Sequence, residues 1–174
     1  MVTTRRSELT GPRTSAVRTV ELPGPGYGEV LLKVLVSGVC ASEVADWTAG
    51  PQSPEPPVLG HEPVGEVVAV GPDVTAFAAG DLVTGRVDAA FADLAIGAVR
   101  DLVPVPTGLD PAEALGEPLG CVVEALRRTR LDTGDRVAVV GTGFMAWYCC
   151  NYSGTRGRGR WSRSTHGRTR VNRR

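Results

Sequence analysis

The sequence predicts a mainly β fold: a small barrel with short helices, then the first strand of a truncated α/β domain, then an irregular C-terminal tail. Three observations carry this. Between residues 29 and 106, short β-branched runs recur at close spacing with glycine and proline between them, the punctuation of a barrel or sandwich. At 136–143 the run RVAVVGTG is continuously apolar and ends in glycines, which suits a strand opening a buried parallel sheet. Beyond residue 145 the composition changes abruptly. Residues 1–145 hold all 19 acids and 11 of the 19 bases, whereas residues 146–174 hold eight arginines and no acid. The formal charge of zero is therefore a cancellation of −8 against +8.

Size and composition bound the rest. The chain has 174 residues, 42% of them hydrophobic and 22% charged. That suits one domain and a fraction of another, and excludes wholesale disorder. No apolar run reaches the roughly 18 residues of a membrane span. The opening MVTTRRSELTGPRTSAV has charges but no apolar stretch behind them, so no secretory leader is expected and the expected compartment is cytoplasmic. Cys40, Cys121, Cys149 and Cys150 show no regular spacing, and a chain of this size does not need disulfides. One lysine against eighteen arginines suggests a GC-rich genome.

Taken in order, EVLLKVLVSGVC (29–40) follows the turn cluster PGPGYG and reads as a strand. Residues 41–59 carry Gly50, Pro51, Pro54, Pro56 and Pro57, so a loop with little regular structure is expected. In GHEPVGEVVAVGPDV (60–74) glycines flank a strand. GDLVTGRV (80–87), AFADLAI (90–96) and DLVPVP (101–106) are further short strands. DPAEALGEPLGCVVEALRRTRL (110–131) is expected to be helical in two parts, with Asp110 as N-cap, Pro111 at the first position and Glu113 three residues after the cap. Val122, Val123, Leu126 and Leu131 can share a face of the second part. Gly134 and Asp135 make a turn before the strand of 136–143. Three domains follow: 20–131, 132–145 and 146–174.

A strand running into G-x-G should be followed by an apolar helix, and residues 146–174 show no helical or strand period. The genetic code offers a test. Met145 is ATG, so the following codons can be reread one base earlier from its final G. Ala146 then becomes a forced glycine, Trp147 an apolar residue, Tyr148 a forced valine, and Cys149 and Cys150 two forced leucines. Asn151 becomes glutamine or a stop, and Tyr152 a forced leucine. This completes G-x-G-x-x-G and supplies the apolar helix. Further on, the same frame permits a second strand ending in aspartate, about 20 residues past the glycines, as a dinucleotide-binding fold requires. The expectation is that one base was lost at this point. The alternative is a genuine arginine-rich tail that binds nucleic acid.

The residues that carry chemistry lie upstream. Cys40 ends a strand and His61 begins the next across the proline-rich loop, so antiparallel strand ends can bring them together. Glu62 or Glu117 can complete a set of zinc donors. Each alone has a plainer reading: a cysteine at a strand end as a small core residue, a His-Glu pair as surface. The motif G-H-E-x-x-G-x5-G, formed by Gly60, His61, Glu62, Gly65 and Gly71, changes that balance. It resembles the signature of zinc-containing medium-chain alcohol dehydrogenases. GVCASEV is similar to that family's first ligand segment, and AxGEPLG to its sorbitol and threonine dehydrogenase branch. E-V-L-L-K-V and G-D-L-V-T-G resemble the family's barrel, and the resemblance covers about residues 20–145.

The resemblance implies a GroES-like catalytic domain followed by a Rossmann domain. It implies Cys40 and His61 as zinc ligands and Glu117 as the third-site carboxylate. Glu62 is the neighbouring acid, which in the polyol branch can itself be a ligand. Ser42 is implied as the hydroxyl that takes the substrate alcohol's proton, and Glu43 as the acid orienting the histidine, where the family usually has aspartate. Gly141 and Gly143 would hold the cofactor, NAD(H) more than NADP(H) in the intact parent. The implied substrate is a small alcohol or polyol, with homo-oligomers only in that parent and neither membrane nor nucleic acid as partner. Ala45 stands where many members have a relay histidine. Residues 86–100 are too short for the four-cysteine lobe, so one catalytic zinc and no structural zinc is expected. Cys121 is a competing ligand or a helix-packing residue, and Trp47 a pocket lining or a barrel plug. In its present frame the chain is expected to be an inactive fragment. The competing readings are a non-enzymatic GroES-like binding module and an RNA-binding protein using its tail.

Overall fold

Two strands precede the first element expected from the sequence. In the computed structural model, which describes residues 1–53, 58–130, 138–141, 143–156, 160–162 and 168–172, β1 (Val2–Gly11) and β2 (Thr14–Leu22) form an antiparallel hairpin. Its turn holds Pro12 and Arg13, the latter at φ 56, next to the β-bulge between Leu9 and Gly11. The hairpin is tied to the next sheet's surroundings: Ser7 N–H donates to the Phe91 carbonyl at 2.8 Å and Asp93 N–H to the Arg5 carbonyl at 2.9 Å. Leu9 is fully buried. The expected domain start near residue 20 leaves this hairpin out.

The main sheet has five antiparallel strands: β3 (Glu29–Ser37), β4 (Pro63–Val70), β5 (Leu82–Gly85), β6 (Leu94–Ala98) and β7 (Leu102–Pro104). Their spatial order is β6-β3-β4-β5-β7. Strand β3 is paired on both sides, by β6 and β4, and its alternate residues Val30 and Leu32 lose all exposure. In register, Leu32 faces Val67 on one side and Ala95 on the other. Val83, Val87 and Leu102 complete this core, with Phe77 and Val74 packed against it. Each such aliphatic side chain contributes roughly 1.5–3 kcal/mol on burial. The β3–β4 ladder shifts register twice, between Leu31 and Leu32 and between Val34 and Val36, and such bulges bend a sheet and re-aim its strand ends.

The loop expected over 41–59 is instead partly helical. Helix α1 spans Ala41–Ala49 and ends at Gly50, φ 77. Every breaker of that segment lies at or after residue 50, and Glu43 caps the helix by accepting the Cys40 N–H at 2.9 Å. Pro54, Pro56 and Pro57 lie outside the described residues. The helical region of 110–131 is divided as expected, but its first part is a single 3-10 turn, Pro111–Glu113. Asp110 caps it by accepting the Ala112 N–H at 2.8 Å. Helix α2 runs over Gly116–Thr129. On it Val122 is buried, Val123 is 39% exposed and Cys121 is exposed, so the shared apolar face is narrower than expected. Leu131, Gly134 and Asp135 lie outside the described residues.

The chain divides into two compact units, Met1–Glu117 and Pro118–Arg174. In the second, β8 (Ala138–Val140) is followed by helix α3 (Phe144–Arg156) and strands β9 (Arg160–Ser162) and β10 (Arg168–Asn172). The tail is thus not irregular throughout, as expected from its composition. The stretch from Phe144 to Ser153 contains neither glycine nor proline, and Phe144 and Tyr148 pack edge to face one turn apart. Strand β8 is an edge strand with Val140 89% exposed. Its neighbour is β10, antiparallel, with Val140 opposite Arg168. No helix among the described residues is long and apolar enough to cross a membrane.

Candidate metal centre

The site forms where β3 ends and β4 begins. Pairing of Ser37 with Pro63 sets the two strand ends side by side, and the Gly38 N–H extends the ladder by donating to the Glu62 carbonyl at 3.0 Å. Cys40, three residues past one strand, and His61 with Glu62, just before the other, are thereby brought together. One donor atom from each of Cys40, His61 and Glu62 lies within 4.8 Å of the other two. Among the described residues this is the one group of three or more metal-binding side chains.

Glu43 organises the group from behind. It is 5% exposed. One carboxylate oxygen accepts the Cys40 N–H, while the other accepts the Gly60 N–H at 2.5 Å and lies 3.2 Å from His61 Nδ1. Gly60 adopts φ 91, and a Cβ there would run into the backbone of Ala90 and Phe91. Only glycine therefore brings its N–H to this carboxylate. An ionised carboxylate only accepts, so the proton between Glu43 and the imidazole belongs on Nδ1. Nε2 then presents its lone pair, and the Glu62 carboxylate faces it at 3.8 Å.

Burial pushes the Glu62 carboxyl above its ordinary value; the charge of Glu117 adds to this, while His61 and the Cys40 thiol pull the other way. Glu117, on the first turn of α2, is near enough for its charge to act on Glu62 but stands outside the three-residue group. Of the four expected donors, Cys40, His61 and Glu62 form the group, and Glu117 stands beside it. The segment carrying Glu117 is anchored by Thr84, a residue the sequence did not single out. Its buried hydroxyl accepts the Gly116 N–H at 2.9 Å and donates to the Pro63 carbonyl at 2.9 Å. It lies within the G-D-L-V-T-G stretch, but nothing in that stretch points to its hydrogen-bonding role.

Ser42 is exposed on the first turn of α1. Trp47, on the same helix, is 38% exposed, which excludes a barrel plug. In the other unit Gly141 follows β8 at φ 94, and Gly143 precedes α3, its carbonyl accepting the Trp147 N–H at 2.9 Å. A helix therefore does follow the glycines, contrary to expectation. Residues 86–100 hold turns, β6 and the start of a 3-10 segment.

Comparison with known proteins gives a consistent picture. Residues 26–109 match the alcohol dehydrogenase GroES-like domain. The chain is 31% identical over 158 residues to a sorbitol dehydrogenase of Halalkalibacterium halodurans, covering 74% of this chain and 46% of that protein. It is 30% identical over 157 residues to an L-threonine 3-dehydrogenase of Pyrococcus horikoshii, covering 71% and 45%. In fold it is similar to a Sinorhizobium meliloti protein assigned as a zinc-binding dehydrogenase and solved with NADP, with a TM-score of 0.74, 24% identity, and 90% of this chain and 54% of that one covered. The chain spans about half the length of the curated relatives it matches.

Proposed function

The chain belongs to the zinc-containing medium-chain alcohol and polyol dehydrogenase family, and from that premise we propose a division of labour between this chain and its intact parent. The parent transfers hydride between a small alcohol or polyol and a nicotinamide cofactor, NAD(H) rather than NADP(H). The 174-residue chain carries the metal half of that machinery, within a catalytic domain of about 20–131, and turns nothing over.

The observation that carries the metal reading is the confrontation of His61 Nε2 and the Glu62 carboxylate at 3.8 Å, with the Cys40 thiol in the same group. Two lone pairs facing each other in a half-buried site repel unless a proton or a metal cation lies between them, and the Cys40 thiol beside them makes the set one that suits a metal. Sulfur, imidazole nitrogen and carboxylate oxygen are zinc's protein donors. Cys40, His61 and Glu62 would hold the ion, with Glu117 as the exchangeable neighbour. When bound, zinc supplies Lewis acidity that makes an alcohol proton easier to remove. Glu43 holds the imidazole in the tautomer that ligates. Ser42 Oγ accepts the alcohol's proton and gives its own to the solvent it faces.

The cofactor half does not fit this chain. A dinucleotide crevice opens at the carboxyl ends of parallel strands, and β8 is paired with antiparallel β10. The acid that would hold a ribose falls in the alternative reading frame, and that permitted aspartate supports NAD(H) for the parent. The test is the 174-residue chain assayed beside a chain with one base restored at the Met145 codon, each with zinc, NAD, NADP and a panel of polyols. Hydride transfer by the restored chain alone is expected, faster with NAD. Turnover by the 174-residue chain overturns its reading as a fragment. An inactive restored chain overturns the dehydrogenase reading.

A further inference from the structure

Which of two carboxylates joins Cys40 and His61 is decided at a position with no side chain. A Cβ on Gly38 would overlap Glu62 Oε2, and would stand 3.2 Å from both Glu62 Cβ and Leu115 Cδ1. The space that a side chain would fill at 38 is therefore where the Glu62 carboxylate lies. Leu115 borders the same space on another side. Gly38 is not among the glycines with positive φ, so its requirement is one of room and not of backbone conformation. Because its N–H also donates to the Glu62 carbonyl, backbone and side chain of Glu62 are both registered on the same residue.

We infer that Gly38 is the positioning residue that seats the Glu62 carboxylate in the Cys40–His61 group and so selects Glu62 over Glu117 as the third metal ligand. This rests on the zinc reading above. The consequence is that any side chain at 38 turns the Glu62 carboxylate away from Cys40 and His61, and leaves Glu117 as the remaining acid within reach.

Cobalt(II) reports on the same donor set through its visible spectrum, and a double-mutant cycle reports on coupling without turnover. In the 174-residue chain, G38A is expected to lower cobalt affinity about 10–100-fold, the range for losing a group that orients a ligand, and to alter the cobalt d–d bands. E62Q is expected to weaken binding in the wild-type background and to add nothing in G38A, whereas E117Q should matter more in G38A than in wild type. A metal-free arm guards against simple misfolding. G38A should lower the melting temperature of the apo chain, and the G38A/E62A pair should recover it, since removing the Glu62 carboxylate vacates the space. Cobalt affinity and spectrum unchanged in G38A, with E62Q equally costly in both backgrounds, overturn the inference, as does a melting deficit that E62A does not relieve. A wild-type chain that takes up no cobalt at all is a different failure: it overturns the zinc reading, and the assignment of Gly38 with it.

Discussion

Glu43 joins three partners through two oxygens: the Cys40 N–H, the Gly60 N–H and the His61 ring. A glutamine there keeps the size but replaces one acceptor with a donor that faces N–H groups. E43Q is therefore expected to weaken zinc binding about 10–100-fold, measured by competition with a chromophoric chelator. It should also cost about 1–3 kcal/mol of stability from the unpaired donors, measured by urea unfolding. Equal zinc affinity in E43Q and wild type would show that the imidazole needs no such support. Glu62 gives a pH signature. Its carboxyl is raised by burial first and by Glu117 second, so the folded chain holds that proton more tightly than the unfolded one. The contribution is fully present below the ordinary value of 4.5 and is lost as pH rises through the higher folded value. Unfolding midpoints of the metal-free chain should fall over that window and flatten in E62Q. Zinc should reverse the trend, because the ligating carboxylate must be deprotonated.

At the scale of elements, one hydroxyl ties the segment at Gly116 to two strands of the sheet. Thr84, on β5, holds the Gly116 N–H and the Pro63 carbonyl together, and a Cβ on Gly116 would press on its methyl at 2.7 Å. Thr84→Val keeps the shape and strands both polar groups, so a loss of about 1–3 kcal/mol is expected from each group left buried and unpaired. Thr84→Ser should retain most of the stability. Matched urea curves for the two variants decide this, and equal losses would mean that packing, not hydrogen bonding, governs the junction. The hairpin β1–β2 is held by Leu9, 1% exposed. Leu9→Ala should cost about 2–5 kcal/mol, the usual range for a cavity of that size, read from the same measurement.

For the whole molecule, the expected metal content is one ion per chain. Cys121 is exposed, Cys149 and Cys150 lie together on α3, and Cys40, His61 and Glu62 form the one metal-capable group among the described residues. Elemental analysis after dialysis against zinc should give one equivalent, falling to none in C40A or H61A. A second tightly held equivalent would contradict the single-site reading.

The sequence by itself determined the glycine-punctuated strands, the candidate metal-binding residues and the change of character after residue 145. These are local: β-branched alternation, the spacing of Gly60-His61-Glu62, and codons that reread into an apolar helix. Helix α1 was also legible in principle, since Glu43 stands three residues after Cys40 and the prolines begin only at 51, but the breakers beyond dominated the segment's composition. Only the tertiary structure sets Glu62, rather than Glu117, into one group with Cys40 and His61. Glu62 and Glu117 are 55 positions apart in sequence, and nothing in either neighbourhood ranks them. In the proposed assignment the choice rests on the empty volume at Gly38, which exists because β3 and β4 pair beside it. Space left by a missing side chain leaves no periodicity to read; it exists only once the strands are paired.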